Sequence, residues 1–443
     1  MDFLGLIPSF GGLIWTIGAF IIALSIIVAI HEYGHYIVGR WSGIHAEVFS
    51  IGFGPVLTSR TDKRGTQWQI AALPFGGFVK FKGDANAASV GAEGDIAELT
   101  PAERRATMNG APLWARAATV FAGPLFNFIL SVVLFLGLLM WSGVPSSPLK
   151  VSDLMALPTQ HEIVVGDEIL KVDGTEIDEV ADLSNLAVLP RSANVPYEIR
   201  RDGKTQIVSG PQPIPAMVGG FGQNSSAEAA GLQVGDVILA VDGRPVFYFN
   251  ELPEIVSAAD GTALNFQVWR SGEVLNFEIS PLRQDTQDAS GAFETRWLIG
   301  IFGARAFDSD RVTPSISEAF VYGIERTTFI VTSTFKGIYA MSIGAISTCN
   351  ISGPIGIAQV AGEAAGNGLL AFISLIAVLS TAVGLLNLFP IPVLDGGHLV
   401  FHAWEAVTGN PPSERALNIL MTVGLGLMAM LMVFAITNDL FCP

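Results

Sequence analysis

The sequence predicts a polytopic α-helical membrane protein with four transmembrane helices, a membrane-associated β-loop and two inserted α+β domains. Half of the 443 residues are hydrophobic and only 14% are charged, whereas soluble domains carry about 25% charged residues. Long apolar segments lie near both ends of the chain, and a long segment rich in acidic residues and Gly-containing turns separates them. This arrangement indicates a membrane domain in two parts, with soluble mass between them.

The four spans are predicted from apolar segments that reach the length of about 20 residues needed to cross a bilayer. They lie at 11–38, 117–141, 368–389 and 416–437. They divide the membrane domain into a first part, 1–141, and a second part, 367–443. Residues 337–362 also lack charge, but their Gly, Ser, Thr, Asn and Pro residues make a lipid-exposed helix unfavourable. The region 311–366 is therefore predicted to be an amphipathic connecting segment with a Gly-Pro turn.

The distribution of charge predicts the orientation in the membrane. Residues 39–116 contain 9 Lys or Arg and 7 Asp or Glu, whereas residues 142–363 contain 14 and 27. The positive-inside rule then places the first loop in the cytoplasm. The large insert and both termini lie outside, which predicts a multi-pass protein of the bacterial inner membrane with a periplasmic insert. The net charge of −16 argues against a nucleic-acid partner. The two cysteines, Cys349 and Cys442, are too few for a disulfide framework and indicate little about the compartment.

An internal repeat divides the insert. VVGDEILKVDGTEI at 164–177 shares its pattern with AAGLQVGDVILAVDG at 229–243, and repeated patterns mark repeated units. The second string resembles a PDZ domain of bacterial proteases, so we predict a less regular PDZ-like domain at 145–212 and a PDZ domain at 213–310. Such domains bind peptide C-termini or strands at a sheet edge. The alternative is two unrelated β-rich segments that share a turn motif.

The first loop has a strand-like pattern. Two segments contain alternating or consecutive apolar residues interrupted by glycines, namely EVFSIGFGPVLTSR (47–60) and TQWQIAALPFGGFVKF (66–81). They predict a β-loop over 47–81 that touches the membrane and whose edge could hold an extended substrate. An ordinary cytoplasmic hairpin is the alternative. Residues 84–99 have the composition of a linker.

The pentapeptide HEYGH at 31–35 predicts a metal site at the end of the first span. His31 and His35 are four residues apart, so both side chains leave one face of the helix. Two His ligands, an adjacent Glu and an open coordination position are the pattern of a zinc hydrolase. Ionisable residues inside a membrane segment are costly and usually functional. We therefore expect one Zn²⁺ ion, with Glu32 as general base toward a zinc-activated water; the alternative is a polar cluster at a helix end.

A third ligand is expected from the second membrane part. Asp395 is the only acidic residue between 364 and 404, and an unpaired carboxylate in such a segment would be unfavourable. His398 is the rival, and His402 follows it at helical spacing. Asp395 is the favoured ligand.

Four motifs together resemble the site-2 protease family of intramembrane zinc metalloproteases. They are HEYGH, RAATVFAGPLFNFIL (116–130), NISGPIGIA (350–358) and NLFPIPVLDGGHL (387–399). The resemblance implies that zinc is bound by His31, His35 and Asp395 and that Glu32 is the catalytic base. It also implies a substrate-binding role for the residues Asn387, Gly76, Gly77 and Phe78.

The resemblance further implies cleavage of the transmembrane segments of single-span substrates, such as an anti-sigma factor and remnant signal peptides. The PDZ pair would exclude substrates with bulky outer domains. An inactive scaffold that presents peptides through its PDZ domains is the first alternative, although it would not need Glu32. A metal transporter is the second, but polar residues should then occur in several spans, whereas here they concentrate at 31–35 and 387–402.

Overall fold

The computed structural model describes residues 10–84, 99–184, 186, 190–222, 224–287 and 293–442; the predicted linker 84–99 lies almost entirely outside these residues. Within them the α-helices are α1 (Phe10–Trp41), α2 (Pro101–Arg105), α3 (Leu113–Ser142), α4 (Val180–Ser184), α5 (Ser226–Ala229), α6 (Glu251–Ala258), α7 (Ile316–Ser342), α8 (Pro354–Gly366), α9 (Leu369–Asn387), α10 (Asp395–Thr408) and α11 (Glu414–Phe441). The strands are β1 (Ala46–Thr61), β2 (Gln67–Phe81), β3 (Val144–Pro145), β4 (Leu149–Leu154), β5 (Glu168–Val172), β6 (Thr175–Glu176), β7 (Asn194–Arg201), β8 (Lys204–Pro211), β9 (Val218–Phe221), β10 (Val237–Val241), β11 (Arg244–Pro245), β12 (Leu264–Arg270), β13 (Glu273–Ile279), β14 (Leu282–Gln287), β15 (Phe293–Leu298), β16 (Ile301–Gly303), β17 (Phe307–Ser309) and β18 (Arg311–Val312).

Four helices in the described part of the chain are long and apolar enough to cross a membrane, and they confirm the four predicted spans. They are Gly12–Trp41, Leu113–Ser142, Leu369–Asn387 and Glu414–Phe441. The third ends at Asn387 because Pro390 and Pro392 follow and cannot continue a helix. In the predicted connecting segment, Pro354 begins α8, in agreement with the preference of proline for the first turn of a helix.

The chain divides into two compact units, and the first contains the four spans. It comprises 1–140, 315–335 and 348–442. Ala23 and Ile27 of α1 pack with Ile376 of α9 in a buried cluster. A methyl group on Gly362 of α8 would lie 2.4 Å from the Oγ1 atom of Thr16, so α8 and α1 approach closely.

The β-loop predicted over 47–81 is an antiparallel pair of long, bent strands. Residues 46–51 of β1 pair with 77–81 of β2 on one side and with 67–70 on the other. Gly52 and Gly76 adopt positive φ at the bends, a conformation in which glycine is unstrained. Residues 77–81 consequently form one edge of this small sheet.

A disulfide joins Cys349 to Cys442, across 93 residues of sequence. It links the 3₁₀ turn at Thr348–Asn350 to the end of α11. The Asp439 carboxylate lies beside it and accepts hydrogen bonds from the backbone N–H groups at the start of α8, namely those of Gly353, Ile355 and Gly356. The two cysteines, although too few for a framework, therefore stabilise a local junction between two helices.

The second unit, 141–314 and 336–347, contains two sheet-based halves. One sheet has the order β17-β4-β5-β7-β8, with β6 paired to β5, and the other has the order β11-β10-β12-β13. Each half encloses its own cluster of buried hydrophobic residues. Residues Phe307–Ser309, which the sequence analysis assigned to the second repeat, pair with β4 of the first half.

The two halves contain the same buried ion pair. Arg201 donates to both carboxylate oxygens of Asp167 at 2.7 Å, and Arg270 does the same with Asp236 at 2.7 and 2.6 Å. The hydrogen bonds to the carboxylates raise the pKa of both guanidinium groups. Equivalent pairs at equivalent positions support a repeat that extends beyond the shared turn motif.

Candidate metal centre

Helix α1 supplies two of the predicted ligands. It continues without a break from Phe10 to Trp41, so the HEYGH residues occupy its last three turns. His31 is buried, with 8% of its surface exposed, and its Nε2 atom lies 3.2 Å from that of His35. The predicted alignment of the two rings on one helix face is present.

The third ligand is delivered by a sharp turn between α9 and α10. Asp395 is the first residue of α10, and the turn before it is closed by a hydrogen bond from the Leu394 N–H to the Ile391 carbonyl at 2.9 Å. A methyl group on Gly396 would lie 2.2 Å from the carbonyl oxygen of Phe389. Glycine at this position therefore lets the chain fold back and direct Asp395 toward α1.

The three side chains meet at one point. The Oδ2 atom of Asp395 lies 3.1 Å from Nε2 of His31 and 3.5 Å from Nε2 of His35. Ligand atoms held about 2.0–2.1 Å from a tetrahedral zinc ion lie about 3.3 Å apart, and the observed separations bracket this value. These three residues form the only His, Cys, Asp and Glu group of metal-binding geometry within the described residues.

An unsatisfied oxygen supports the fit to a cation. Among the described residues, Oδ2 of Asp395 is buried and has no hydrogen-bond partner of acceptable geometry. A buried carboxylate oxygen without a partner is unfavourable, and a metal ion at the centre of the triangle would satisfy it. The donor set, two imidazoles and one carboxylate, is one that zinc accepts with a fourth position left open.

Helix α3 lies directly behind the two histidines. Nδ1 of His35 donates to the Thr119 carbonyl at 2.8 Å, and Nδ1 of His31 lies 3.1 Å from the carboxamide of Asn127. Between them, a methyl group on Gly123 would lie 2.3 Å from Nε2 of His35 and 2.8 Å from Nε2 of His31. The close approach of α3 thus requires glycine and gives each ring a polar contact on its far side.

Glu32 faces the edge strand of the β-loop. A methyl group on Gly77 would lie 3.2 Å from Cγ of Glu32, and the backbone of Val79 is within hydrogen-bonding reach of the carboxyl group. Glu32 does not belong to the ligand group. It lies beside the strand edge formed by residues 77–81 and lines the same cavity as the predicted ligands, a position suited to a base that acts on a metal-bound water.

These residues share a cavity of about 680 Å³. The cavity is lined by the three ligands, by Glu32 and by three of the predicted substrate-binding residues, Gly77, Phe78 and Asn387. Gly76 lies at the adjoining bend, where a methyl group would collide with the ring of Phe53. The carboxamide of Asn387 donates to the Val383 carbonyl at 3.0 Å, which holds it at the end of α9.

The rival ligand, His398, lines the same cavity but does not join the ligand group. His402 follows it along α10, and its buried Nδ1 atom has no partner among the described residues. Near them, Arg116 of α3 forms a two-pronged ion pair with Glu405 of α10, with N–O distances of 3.0 and 2.5 Å. This pair anchors α10, and with it Asp395, against α3.

Sequence reasoning missed the roles of Thr119, Gly123 and Asn127, although it noted the segment that contains them. A carboxamide in an otherwise apolar span was a usable signal, since polar groups in membrane helices are usually functional. The carbonyl of Thr119 offers no such signal, because every residue has a carbonyl group.

The chain matches the family model of peptidase family M50 over residues 19–431. A protein of Agrobacterium fabrum whose name describes a zinc metalloprotease is 36% identical over 422 residues, which cover 95% of this chain and 94% of that protein. A similarly named protein of Rhizobium meliloti is 34% identical over 427 residues, 96% of each chain. The regulator of sigma E protease of Haemophilus influenzae is 31% identical over 460 aligned positions, covering 96% of this chain and 98% of that one.

Proposed function

This chain belongs to peptidase family M50, the site-2 proteases, and is a zinc metalloprotease; from this premise we propose that it cleaves the transmembrane segments of single-span membrane proteins. One observation carries the proposal: the ligand atoms of His31, His35 and Asp395 converge within 4.8 Å of one another, beside Glu32, at the end of a membrane span. An anti-sigma factor and remnant signal peptides are the proposed substrates, by analogy with the regulator of sigma E protease.

The roles of the residues follow from their positions. His31, His35 and Asp395 hold the zinc ion, which when bound acts as a Lewis acid toward water and the scissile carbonyl. Glu32 accepts a proton from the attacking water and transfers it to the leaving amine, as a general base and then a general acid. The Cγ atom of Glu32 lies next to Gly77 of the edge strand, and Glu32 lines the same cavity as the three proposed ligands.

Substrate binding is proposed at the edge formed by residues 77–81. A transmembrane helix hides its amide groups, so the scissile segment must unwind before water reaches it. Strand addition to a sheet edge satisfies the backbone groups of an unwound segment. Gly77 brings this edge next to Glu32, Phe78 provides an apolar contact in the cavity, and Asn387 provides a carboxamide in the same cavity.

The proposed location is the bacterial inner membrane, with the second unit in the periplasm. With four spans and the proposed cytoplasmic first loop, residues 349 and 442 would both lie on the outer side. The disulfide between Cys349 and Cys442 supports this orientation independently of charge, because disulfides persist in oxidising compartments such as the periplasm.

The two halves of the second unit are proposed to be PDZ-like domains, over about residues 145–212 and 213–310. The shared ion pairs, Asp167–Arg201 and Asp236–Arg270, support their common origin. Their proposed ligands are peptide C-termini or strands, and their proposed role is to exclude substrates that retain a bulky outer domain. A peptide-binding scaffold without catalysis is the second candidate function, and these halves favour it only if the membrane site proves inactive.

The proposal is tested by the substitution Glu32→Gln in the full chain, purified in detergent with zinc. Cleavage of a tagged single-span substrate should fall by about 10²–10⁴-fold, as expected for loss of a general base, while the zinc content is unchanged. Glu363→Gln, an exposed position on α8, is the matched control. Wild-type protein that binds zinc and peptides but never cleaves would favour the scaffold, and undiminished cleavage by Glu32→Gln would exclude the proposed mechanism.

A further inference from the structure

Three residues of α3 form the wall behind the metal centre. Thr119, Gly123 and Asn127 are four residues apart, so they lie on one face of the helix. The first accepts a hydrogen bond from His35, the second touches both rings, and the third reaches His31. Of these three residues, Asn127 is the one whose side chain contacts a histidine ring. Its carboxamide can therefore favour one position of the ring proton of His31 over the other.

The distinction concerns the position of one proton. A neutral imidazole carries one N–H and one lone pair, so a histidine that binds metal through Nε2 must carry its proton on Nδ1. That Nδ1–H group needs an acceptor. For His35 the acceptor is the Thr119 carbonyl, which can only accept.

For His31 the neighbour is a carboxamide, whose nitrogen and oxygen are interchangeable in shape. As placed in the structure, Nδ2 of Asn127 faces Nδ1 of His31; Nδ1 would then have to accept, and the ring proton would occupy Nε2, the ligand atom. Rotation of the amide by half a turn places Oδ1 at the same 3.1 Å separation and leaves Nε2 free.

We propose that Asn127 is a positioning residue that accepts a hydrogen bond from Nδ1 of His31 and thereby selects the tautomer able to bind zinc. The inference rests on the ligand set of the proposed function. Groups that hydrogen-bond to metal-bound histidines orient the ring and raise its basicity. Asn127 lies on α3 and orients His31, which lies on α1.

The surroundings of Asn127 hold it in place. Its side chain is fully buried, and its backbone carbonyl accepts a hydrogen bond from the Ser380 hydroxyl at 2.8 Å. A methyl group on Gly384 would lie 3.1 Å from Cβ of Asn127, so α9 packs directly against it. The carboxamide can rotate about its own axis but cannot move away from His31.

The test measures zinc affinity of the full chain in detergent by competition with a chromophoric chelator. Asn127→Leu removes the acceptor at similar size, and Asn127→Asp keeps an acceptor oxygen. Gly137→Ala is the control, because it changes the same helix at a position where an added methyl group meets nothing within 4 Å. Thermal unfolding of the metal-free variants separates a loss of packing from a loss of metal binding.

Asn127→Leu should bind zinc about 10–100-fold more weakly than the wild type, the usual effect of removing such a partner. Asn127→Asp should bind at least as tightly as Gly137→Ala. Equal zinc affinity for Asn127→Leu and wild type would overturn the inference, as would an Asp variant as weak as the Leu variant. If Asn127→Leu does not fold, the Asp variant decides: zinc binding about 10-fold or more weaker than that of the control would overturn the inference.

The variant His31→Ala separates this inference from the ligand assignment on which it rests. If His31→Ala retains zinc, the ligand set is wrong. If His31→Ala loses zinc and Asn127→Leu retains it at full affinity, the ligand set stands and only the role of Asn127 is overturned.

Discussion

Two pairs of histidines line the same cavity at the same helical spacing, and only one of them belongs to the proposed metal site. His31 and His35 lie on α1, and His398 and His402 lie on α10. The first pair faces Asp395 and is backed on α3 by the Thr119 carbonyl and by Asn127. Within the described residues, the second pair belongs to no group of three metal-binding side chains, and Nδ1 of His402 has no partner.

The comparison of the two histidine pairs indicates that helical spacing alone does not specify a metal site. A pair of imidazoles becomes a site when a third donor converges on the same point and when each ring has a partner that fixes its free nitrogen. The first pair meets both conditions through contacts with two other helices, α3 and α10. The second pair lies beside the Arg116–Glu405 ion pair, in which the Glu405 carboxylate is bound to Arg116 through both oxygens and is therefore not free to act as a third ligand.

The largest expected contrast comes from removing one histidine of each pair. His35→Ala should lose the bound zinc and all cleavage, because it removes a ligand from a site with three protein donors. His402→Ala should keep one zinc ion per chain. Metal analysis of the two purified variants measures the contrast, and loss of zinc from His402→Ala would show that the second pair takes part in binding.

A second contrast uses two glycines of α3. Gly123→Ala places a methyl group 2.3 Å from Nε2 of His35, whereas a methyl group on Gly137 meets nothing within 4 Å. Since the rings cannot retreat without leaving the ligand triangle, Gly123→Ala should weaken zinc binding by about 10-fold or more, the size of effect seen when the surroundings of metal ligands are disturbed.

Gly137→Ala serves as the control for that substitution. Alanine is favoured over glycine in a helix interior by about 1 kcal/mol, so this variant should be at least as stable as the wild type and bind zinc equally. Equal zinc affinities of the two variants would mean that the close approach of α3 does not matter to the site.

The smallest effect on the metal site is expected at the disulfide. Cys349→Ser should lower the midpoint of thermal unfolding, because the chain-entropy model assigns up to about 5 kcal/mol to a cross-link that closes a loop of roughly 100 residues. Zinc affinity and cleavage should not change, since neither histidine pair contacts this junction in the described part of the chain.

Cys442→Ser and the double variant should lower the unfolding midpoint by the same amount as Cys349→Ser, because all three changes break one bond. A double variant that is clearly less stable than either single variant would show that the two side chains contribute separately, as thiols packed in place rather than as a disulfide.

Much of the membrane domain follows from local sequence patterns. The spans were predicted from apolar length, the two α1 ligands from a spacing of four residues, and Asp395 from its isolation in an apolar segment. These features depend on one helix or one turn at a time, so a linear sequence contains the necessary information.

The features that were missed depend on contacts between distant segments. The hydrogen bond from His35 to Thr119 requires the register of α3 against α1, and the Cys349–Cys442 bond requires two segments 93 residues apart to meet. The pairing of β17 with β4 likewise returns the chain to the first half after the second is complete. No local periodicity in the sequence predicts these contacts, because they result from the packing of segments that are far apart in the chain.

The most direct test of the central claim compares Asp395→Ala with His398→Ala by metal analysis of the purified full chain, alongside cleavage of a single-span substrate. We expect Asp395→Ala to lose nearly all zinc and all cleavage, because Oδ2 of Asp395 completes the ligand triangle. His398→Ala should retain one zinc ion per chain. The reverse result, zinc retained without Asp395 and lost without His398, would contradict the assignment of the metal centre.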